Sequence, residues 1–291
     1  MYVGVRIDKW SEARELCDMT RGCVFRGQAD ASWTLSTQLE RAACAANCPP
    51  EHIANREAQI LREFRRSAHH YDCAVPDTED VIEWLALIQH HGGPTRLLDF
   101  TYSFYVAAFF AMESAVGDAA VWVFNRTGRI GRGLDGAKGL EGFAPKVNAE
   151  LGRLAGQYFN GDIGGVGVIA TEPERLSPRL VAQQGTFVIP MDVAKPFEEN
   201  LAEALGLSGT TLGDPEMVSA DESVTRRLTH ETADLIKILL PRDIHPDALE
   251  DLWQMNISAA TLFPGLDGFA RSLGFHMRVA EKFAKLLDTL K

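Results

Sequence analysis

Thirteen consecutive residues, Gln89-His90-His91-Gly92-Gly93-Pro94-Thr95-Arg96-Leu97-Leu98-Asp99-Phe100-Thr101, hold two imidazoles, a guanidinium, a carboxylate, an amide and two hydroxyls. Polar groups at this density either satisfy one another or face a ligand. An imidazole at His90 and a carboxylate at Asp99 are suited to moving a proton or stabilising developing positive charge. Arg96 could clamp a phosphate or carboxylate through two parallel hydrogen bonds. His90, Thr95 and Thr101 are hydrogen-bonding groups that could orient a sugar. A buried Arg96–Asp99 pair capping a helix end is the competing reading, in which those two residues hold the fold and only His90 and Thr95 face a cleft. A metal on His90, His91 and Asp99 is disfavoured, because adjacent helical residues point about 100° apart.

Two further stretches carry chemistry. Cys23-Val24-Phe25 reads as a short buried strand, and Arg26-Gly27-Gln28 breaks it with a charge. Arginine is rarely buried unless paired, so Arg26 either presents its guanidinium to an anion or makes a structural salt bridge. Gln183 and Gln184 precede Gly185 at the start of a β-branched run. They could hydrogen-bond a ribose hydroxyl, but an amide cannot act as a base.

The elements around these residues are read from periodicity. Residues 8–21 and 51–71 have amphipathic helical spacing. The second carries many charges and is expected to be exposed, with Arg62, Arg65 and Arg66 on a solvated face. Val81–Ile88 is nearly all apolar and predicts a buried helix that delivers Gln89, His90 and His91 at its end, with Gly92-Gly93-Pro94 as the stop. Ser103–Met112 is apolar all round and predicts a central core helix. Strands are expected near 23–26, 32–36, 119–124, 166–170, 185–190 and 234–240, with Arg179–Pro190 read as resuming a strand pattern. Helices are also expected near 243–255 and 268–290. Residues 125–165 are Gly-rich and predict a mobile loop or lid around a short helix near 146–159. Residues 192–230 are acidic and predict surface loops with a short helix around 197–205. Strands and helices do not alternate strictly, so the expected class is α+β, a central twisted sheet flanked by helices in one domain over residues 1–291.

Composition narrows the partners. The 291 residues carry 40 acidic and 29 basic side chains, a formal charge of −11. That argues against a broad duplex-DNA surface, whose affinity rests on Lys and Arg. Five cysteines, an odd number without zinc-ribbon spacing, predict reduced thiols and no metal. No apolar run approaches the roughly 18 residues of a membrane span. The N-terminus lacks an apolar leader core. The expected location is the cytoplasm.

Phe25-Arg26-Gly27, the motif Gln89–Thr101 and the Ala107–Ala111 helix together resemble the FRG-domain family, named for its Phe-Arg-Gly motif. Arg179-xxx-Gln183-Gln184-Gly185-x-Phe187 and Leu262–Gly268 resemble its C-terminal signatures, so the likeness spans residues 20–275. Gly93 stands where a larger residue is common, and Phe100 where Trp is often seen. The resemblance implies a bacterial or phage-associated protein, some relatives of which occur in toxin or phage-defence settings. A cognate antitoxin or regulator is then an expected partner.

The aromatic-Arg-Gly strand is also similar, more distantly, to the first motif of Arg-type ADP-ribosyltransferases. That likeness implies an NAD-dependent transferase with an ADP-ribosyltransferase-like core and NAD as substrate. Arg26, Gly27, Gln28, His91, Thr95, Arg96 and Thr101 would bind NAD. His90, Asp99, Gln183 and Gln184 would act in catalysis. The acceptor would be a protein or a nucleic acid. Where the transferase pattern offers a glutamate, this chain offers Gln183 and Gln184. The alternative is a non-catalytic sensor that binds a nucleotide or phosphate, in which replacing Arg26 unfolds the protein.

Overall fold

The computed structural model describes residues 2–20, 22–71, 75–77, 80–125, 156–159, 164–207, 212–219 and 234–275. In chain order the main elements are β1 Tyr2–Arg6, α1 Trp10–Met19, β2 Val24–Gln28, α2 Gln38–Ala45, α3 Pro50–Ser67, α4 Val81–His90, β3 Leu98–Thr101 and α5 Phe104–Met112. These are followed by β4 Ala119–Phe124, β5 Val168–Thr171, α6 Pro178–Gln183, β6 Gly185–Pro190, α7 Phe197–Leu205, β7 Glu216–Ser219 and β8 Leu235–Leu240. The described chain closes with α8 His245–Gln254, α9 Ala259–Leu262 and α10 Leu266–Ser272.

The eight strands among the described residues join one mixed sheet in the order β5-β6-β3-β2-β4-β8-β1-β7. Neighbours are antiparallel from β5 to β8, and β1 runs parallel to both β8 and β7. The protein is therefore α+β, built as one sheet with helices on both faces. Alternation along the strands divides the core. Phe25, Val121, Val123 and Ile238 pack with α5 on one face, while Val24, Trp122 and Phe124 pack with α4 and α7 on the other. No helix among the described residues is long and apolar enough to cross a membrane.

The sheet has a seam. β2 pairs with β4 along its whole length, from Val24↔Phe124 to Gln28↔Ala120, and β3 pairs with β6 at four positions. Between β2 and β3 there is one register pair, Phe25↔Thr101. Beside that pair, Arg26 Nη1 donates to the Asp99 carbonyl at 2.8 Å. A side chain thus supplies the bond that a continuing ladder would take from the main chain.

Several expectations change. β1 and β7 were not foreseen, and residues 33–37 run extended without pairing into the sheet. Residues 178–183 are helical instead of the start of a strand, because Ser177 caps them by accepting from the Leu180 amide and Pro178 sits in the first turn. The acidic region is not all surface, since Phe197, Leu201 and Leu205 are buried. Most of the Gly-rich span and the last part of the expected C-terminal helix lie outside the described residues.

Candidate functional site

α4 builds the first wall. Asp80 caps it by accepting from the Glu83 amide at 2.9 Å. Its buried side packs Ile82, Trp84, Leu85 and Ile88 into the core. It ends at His90, with His91 in the cap position and Gly92 at φ +84°, a left-handed conformation that lets the chain turn back at once. The turn is then anchored from α2. Gln38 Nε2 donates to the Gly92 carbonyl at 2.9 Å, and the Leu39 amide donates to the Thr95 carbonyl at 3.0 Å.

β3 and α6 supply the other walls. Thr101 Oγ1 donates to the Gln183 carbonyl at 2.6 Å, and the Tyr102 amide donates to the Gln184 carbonyl at 2.9 Å. These bonds dock the end of α6 on the end of β3. Between α4, β3 and α6 lies a cleft of about 520 Å³, lined by Gln89, His90, His91, Asp99, Arg179 and Gln183, with Glu83 and Phe187 also on its walls.

The predicted residues divide by whether their polar atoms already have protein partners. Thr95 is fully buried and donates to Gln89 Oε1, so it does not face the cleft as expected. Thr101 is buried against Gln183. Gln28 is buried, with Nε2 donating to the Thr34 carbonyl at 2.9 Å and Oε1 accepting from Trp122 Nε1 at 2.7 Å. At Gly27 an added Cβ would sit 2.0 Å from the Ala107 carbonyl oxygen. The glycine is there so that α5 can lie close against β2. Gln184 closes α6 in a left-handed conformation at φ 49°, and its side chain does not line the cleft. Gln183 lines the cleft, but its amide donates to the Leu262 carbonyl at 2.9 Å.

Arg96 is the clearest correction. It pairs neither with Asp99 nor with anything in the cleft. Its Nε donates to Glu57 Oε2 at 2.6 Å, its Nη2 bonds the same carboxylate, and its amide donates to Glu57 Oε1 at 3.1 Å. Nη1 donates to the Tyr158 hydroxyl at 2.6 Å, and the guanidinium lies over the rings of Tyr158 and Phe159. Arg96 precedes β3 and turns inward toward α3, while the Asp99 side chain on β3 is exposed. Both ions of the Arg96–Glu57 pair are buried, so the pair is a scaffold element whose value depends on its being complete.

A smaller group keeps its polar atoms available. Asp99 accepts from Gln89 Nε2 at 2.8 Å on Oδ1, and Oδ2 accepts from nothing among the described residues. The His90 and His91 rings touch edge to face at 5.0 Å, without hydrogen bonds to other described residues. Burial, then the neighbouring His91 and Arg179, hold the His90 imidazole below its ordinary pKa of 6.5, favouring its neutral, proton-accepting form. Arg26 uses Nη1 on the Asp99 carbonyl, and its Nε is buried without a partner among the described residues. Burial pushes this guanidinium down from its ordinary value, against the pull of the Asp99 charge.

Two cleft residues were not foreseen. Arg179 belongs to the Arg179-xxx-Gln183 segment, whose sequence alone assigns it no role. It lies one helical turn before Gln183, a spacing that puts both on one face of α6. Glu83 was read only as part of a buried helix. Its carboxyl accepts from the Arg175 amide at 2.9 Å, and burial lifts its pKa above the usual carboxylate range. No group of three or more His, Cys, Asp or Glu with metal-holding geometry occurs among the described residues.

Residues 21–119 match the model of the FRG domain. No curated protein and no solved structure matches the chain. The matched segment provides Arg26, the α4 terminus, the turn, β3 and α5. Arg179, Gln183 and Phe187 come from the chain beyond it, so the cleft is completed by residues outside the matched segment.

Proposed function

We propose that the cleft binds NAD and transfers its ADP-ribose to a nucleophile on a protein or nucleic acid. The observation that carries this reading is Asp99, a carboxylate fixed on one oxygen by Gln89 and open on the other, facing a cleft that also holds a near-neutral imidazole and an arginine.

The bond between the ribose C1′ and the nicotinamide nitrogen breaks, and its electron pair leaves with the nicotinamide. C1′ becomes cationic in the transition state, and the Asp99 carboxylate stabilises that charge, as carboxylates do in glycosyl transfer. The acceptor's oxygen or nitrogen then bonds to C1′ and gives its proton to the His90 imidazole. Asp99 takes the electrostatic role that Gln183 cannot fill.

Incubation with NAD labelled in the nicotinamide ring, with and without cell lysate, tests this. Nicotinamide release is expected from the wild type and should fall by about 100-fold or more in Asp99→Asn, the scale of a lost charge stabiliser. The variant should keep its melting temperature and an NAD-induced thermal shift. Neither release nor thermal shift in the wild type would defeat the proposal. The second reading is a nucleotide-binding sensor without turnover. Gln183 favours it, an amide that cannot act as a base and that already gives one N–H to the Leu262 carbonyl. A thermal shift with NAD but no release of nicotinamide under any acceptor supports the sensor.

A further inference from the structure

We propose that Arg179 is the phosphate-binding group of the cleft and that its ligand bears a diphosphate. This inference rests on the nucleotide reading above and assigns it a subsite.

The case begins with charge balance. Arg175, on the same cleft wall, is exposed and paired with Asp77 at 2.7 Å. Arg271 is held by both oxygens of Glu113. Arg96 is held by Glu57. Arg179 differs from all three, because no hydrogen bond or ion pair to it forms among the described residues, although it is partly buried and lines the cleft. It packs against an aromatic ring. The guanidinium carbon lies 4.6 Å from the centre of the Phe263 ring, and that of Arg271 lies 4.4 Å from the same ring. A guanidinium held over an aromatic ring can still direct N–H donors to a further partner, and a phosphate suits that fork of donors.

Its placement is also fixed from behind. Gln183, one turn along α6, donates to the carbonyl of Leu262, the residue before Phe263. This bond ties the helix that carries Arg179 to the segment that carries its ring, so the arginine is positioned before any ligand arrives. The charges around the subsite carry both signs: Asp99 and Arg271 reach Arg179, and Glu83, Arg175, His90 and His91 line the same cleft. A single phosphate would engage one fork of donors. A diphosphate can bridge from Arg179 toward the two histidines and leave an attached ribose beside Asp99.

Calorimetry with inorganic pyrophosphate and with ADP-ribose tests the subsite directly, since neither has a nicotinamide bond to cleave. The wild type is expected to bind both, more weakly as salt rises. Arg179→Gln should lose about 10- to 100-fold in affinity, the scale of a charged hydrogen-bonded contact. Arg179→Lys should fall between them, and Arg56→Gln, on the exposed face of α3, should match the wild type. Equal binding by Arg179→Gln and wild type overturns the assignment, as does failure of the wild type to bind either probe. If Arg179→Gln does not fold, proton NMR of the wild type decides. Saturating pyrophosphate should raise the His90 titration midpoint by screening Arg179, and an unmoved midpoint overturns the assignment. The outcomes separate from those of the transferase reading. Arg179-dependent ADP-ribose binding without nicotinamide release sustains the subsite while the transferase fails. Nicotinamide release with an unchanged KM in Arg179→Gln sustains the transferase while the subsite fails.

Discussion

Gln89 Nε2 donates to Asp99 Oδ1 at 2.8 Å, joining the end of a buried helix to a strand ten residues later. The Gln89 amide is itself oriented, because its oxygen accepts from the buried Thr95 hydroxyl. One fully buried threonine therefore decides which way the amide points, and the amide decides which carboxylate oxygen is left for a ligand. Replacing Gln89 by Leu removes both bonds and leaves the Thr95 hydroxyl buried without its acceptor. The expected loss is about 1–3 kcal/mol of stability, read from urea unfolding. Nicotinamide release should fall as well, with a larger effect on kcat than on KM.

Glu57→Gln should be among the most damaging single changes. Arg96 would keep its charge in a buried site whose carboxylate partner had gone, at a cost of about 3–5 kcal/mol. Urea unfolding reads this loss. Pyrophosphate affinity, measured at a temperature where the variant is folded, should match the wild type, because neither Glu57 nor Arg96 lines the cleft.

Gly27→Ala separates packing from ligand binding. The added methyl meets the α5 backbone at Ala107 and Ala111, which cannot swing aside as a side chain would. Destabilisation of at least about 1–3 kcal/mol is expected from overpacking. A variant with unchanged unfolding midpoint and lost ADP-ribose binding would instead restore Gly27 to the ligand site.

His90 gives the cleft a pH signature. Its folded pKa lies below 6.5 because of burial, then His91 and Arg179. Between the unfolded and folded values the unfolded chain binds more protons, so stability falls as pH drops through that window and levels off below it. His90→Gln should flatten this part of the stability profile. Arg179→Gln should raise the His90 midpoint seen by NMR, since it removes one of the charges that depress it.

Local pattern reached much of this. α4, α5, β4 and β8 are dense apolar runs with clear boundaries, and their placement followed from periodicity and stop signals alone. β1 was hidden because Tyr2–Arg6 is a strand only by virtue of β7 and β8, more than 200 residues away in sequence. α6 was mistaken for strand because Leu180 and Val181 suggested one, although Ser177-Pro178 carried a helix start. The motif 89–101 was legible as a place, but the division of labour within it was not. Arg96 finds Glu57, 39 residues upstream on a helix read as exposed, and no local rule names that partner. Arg179 was within reach, since four-residue spacing from Gln183 places both on one helical face.

The narrow junction between β2 and β3 has a consequence for how the molecule breathes. On one side stand β5, β6 and β3; on the other stand β2, β4, β8, β1 and β7. One main-chain pair and the Arg26 side chain link them within the plane of the sheet, while apolar packing spans the junction above it. Amide protons on the two sides are then expected to exchange with solvent as two cooperative groups of different protection. The β3 group, which carries Asp99, should be the first to open, and Arg26→Ala should lower its protection more than that of β4.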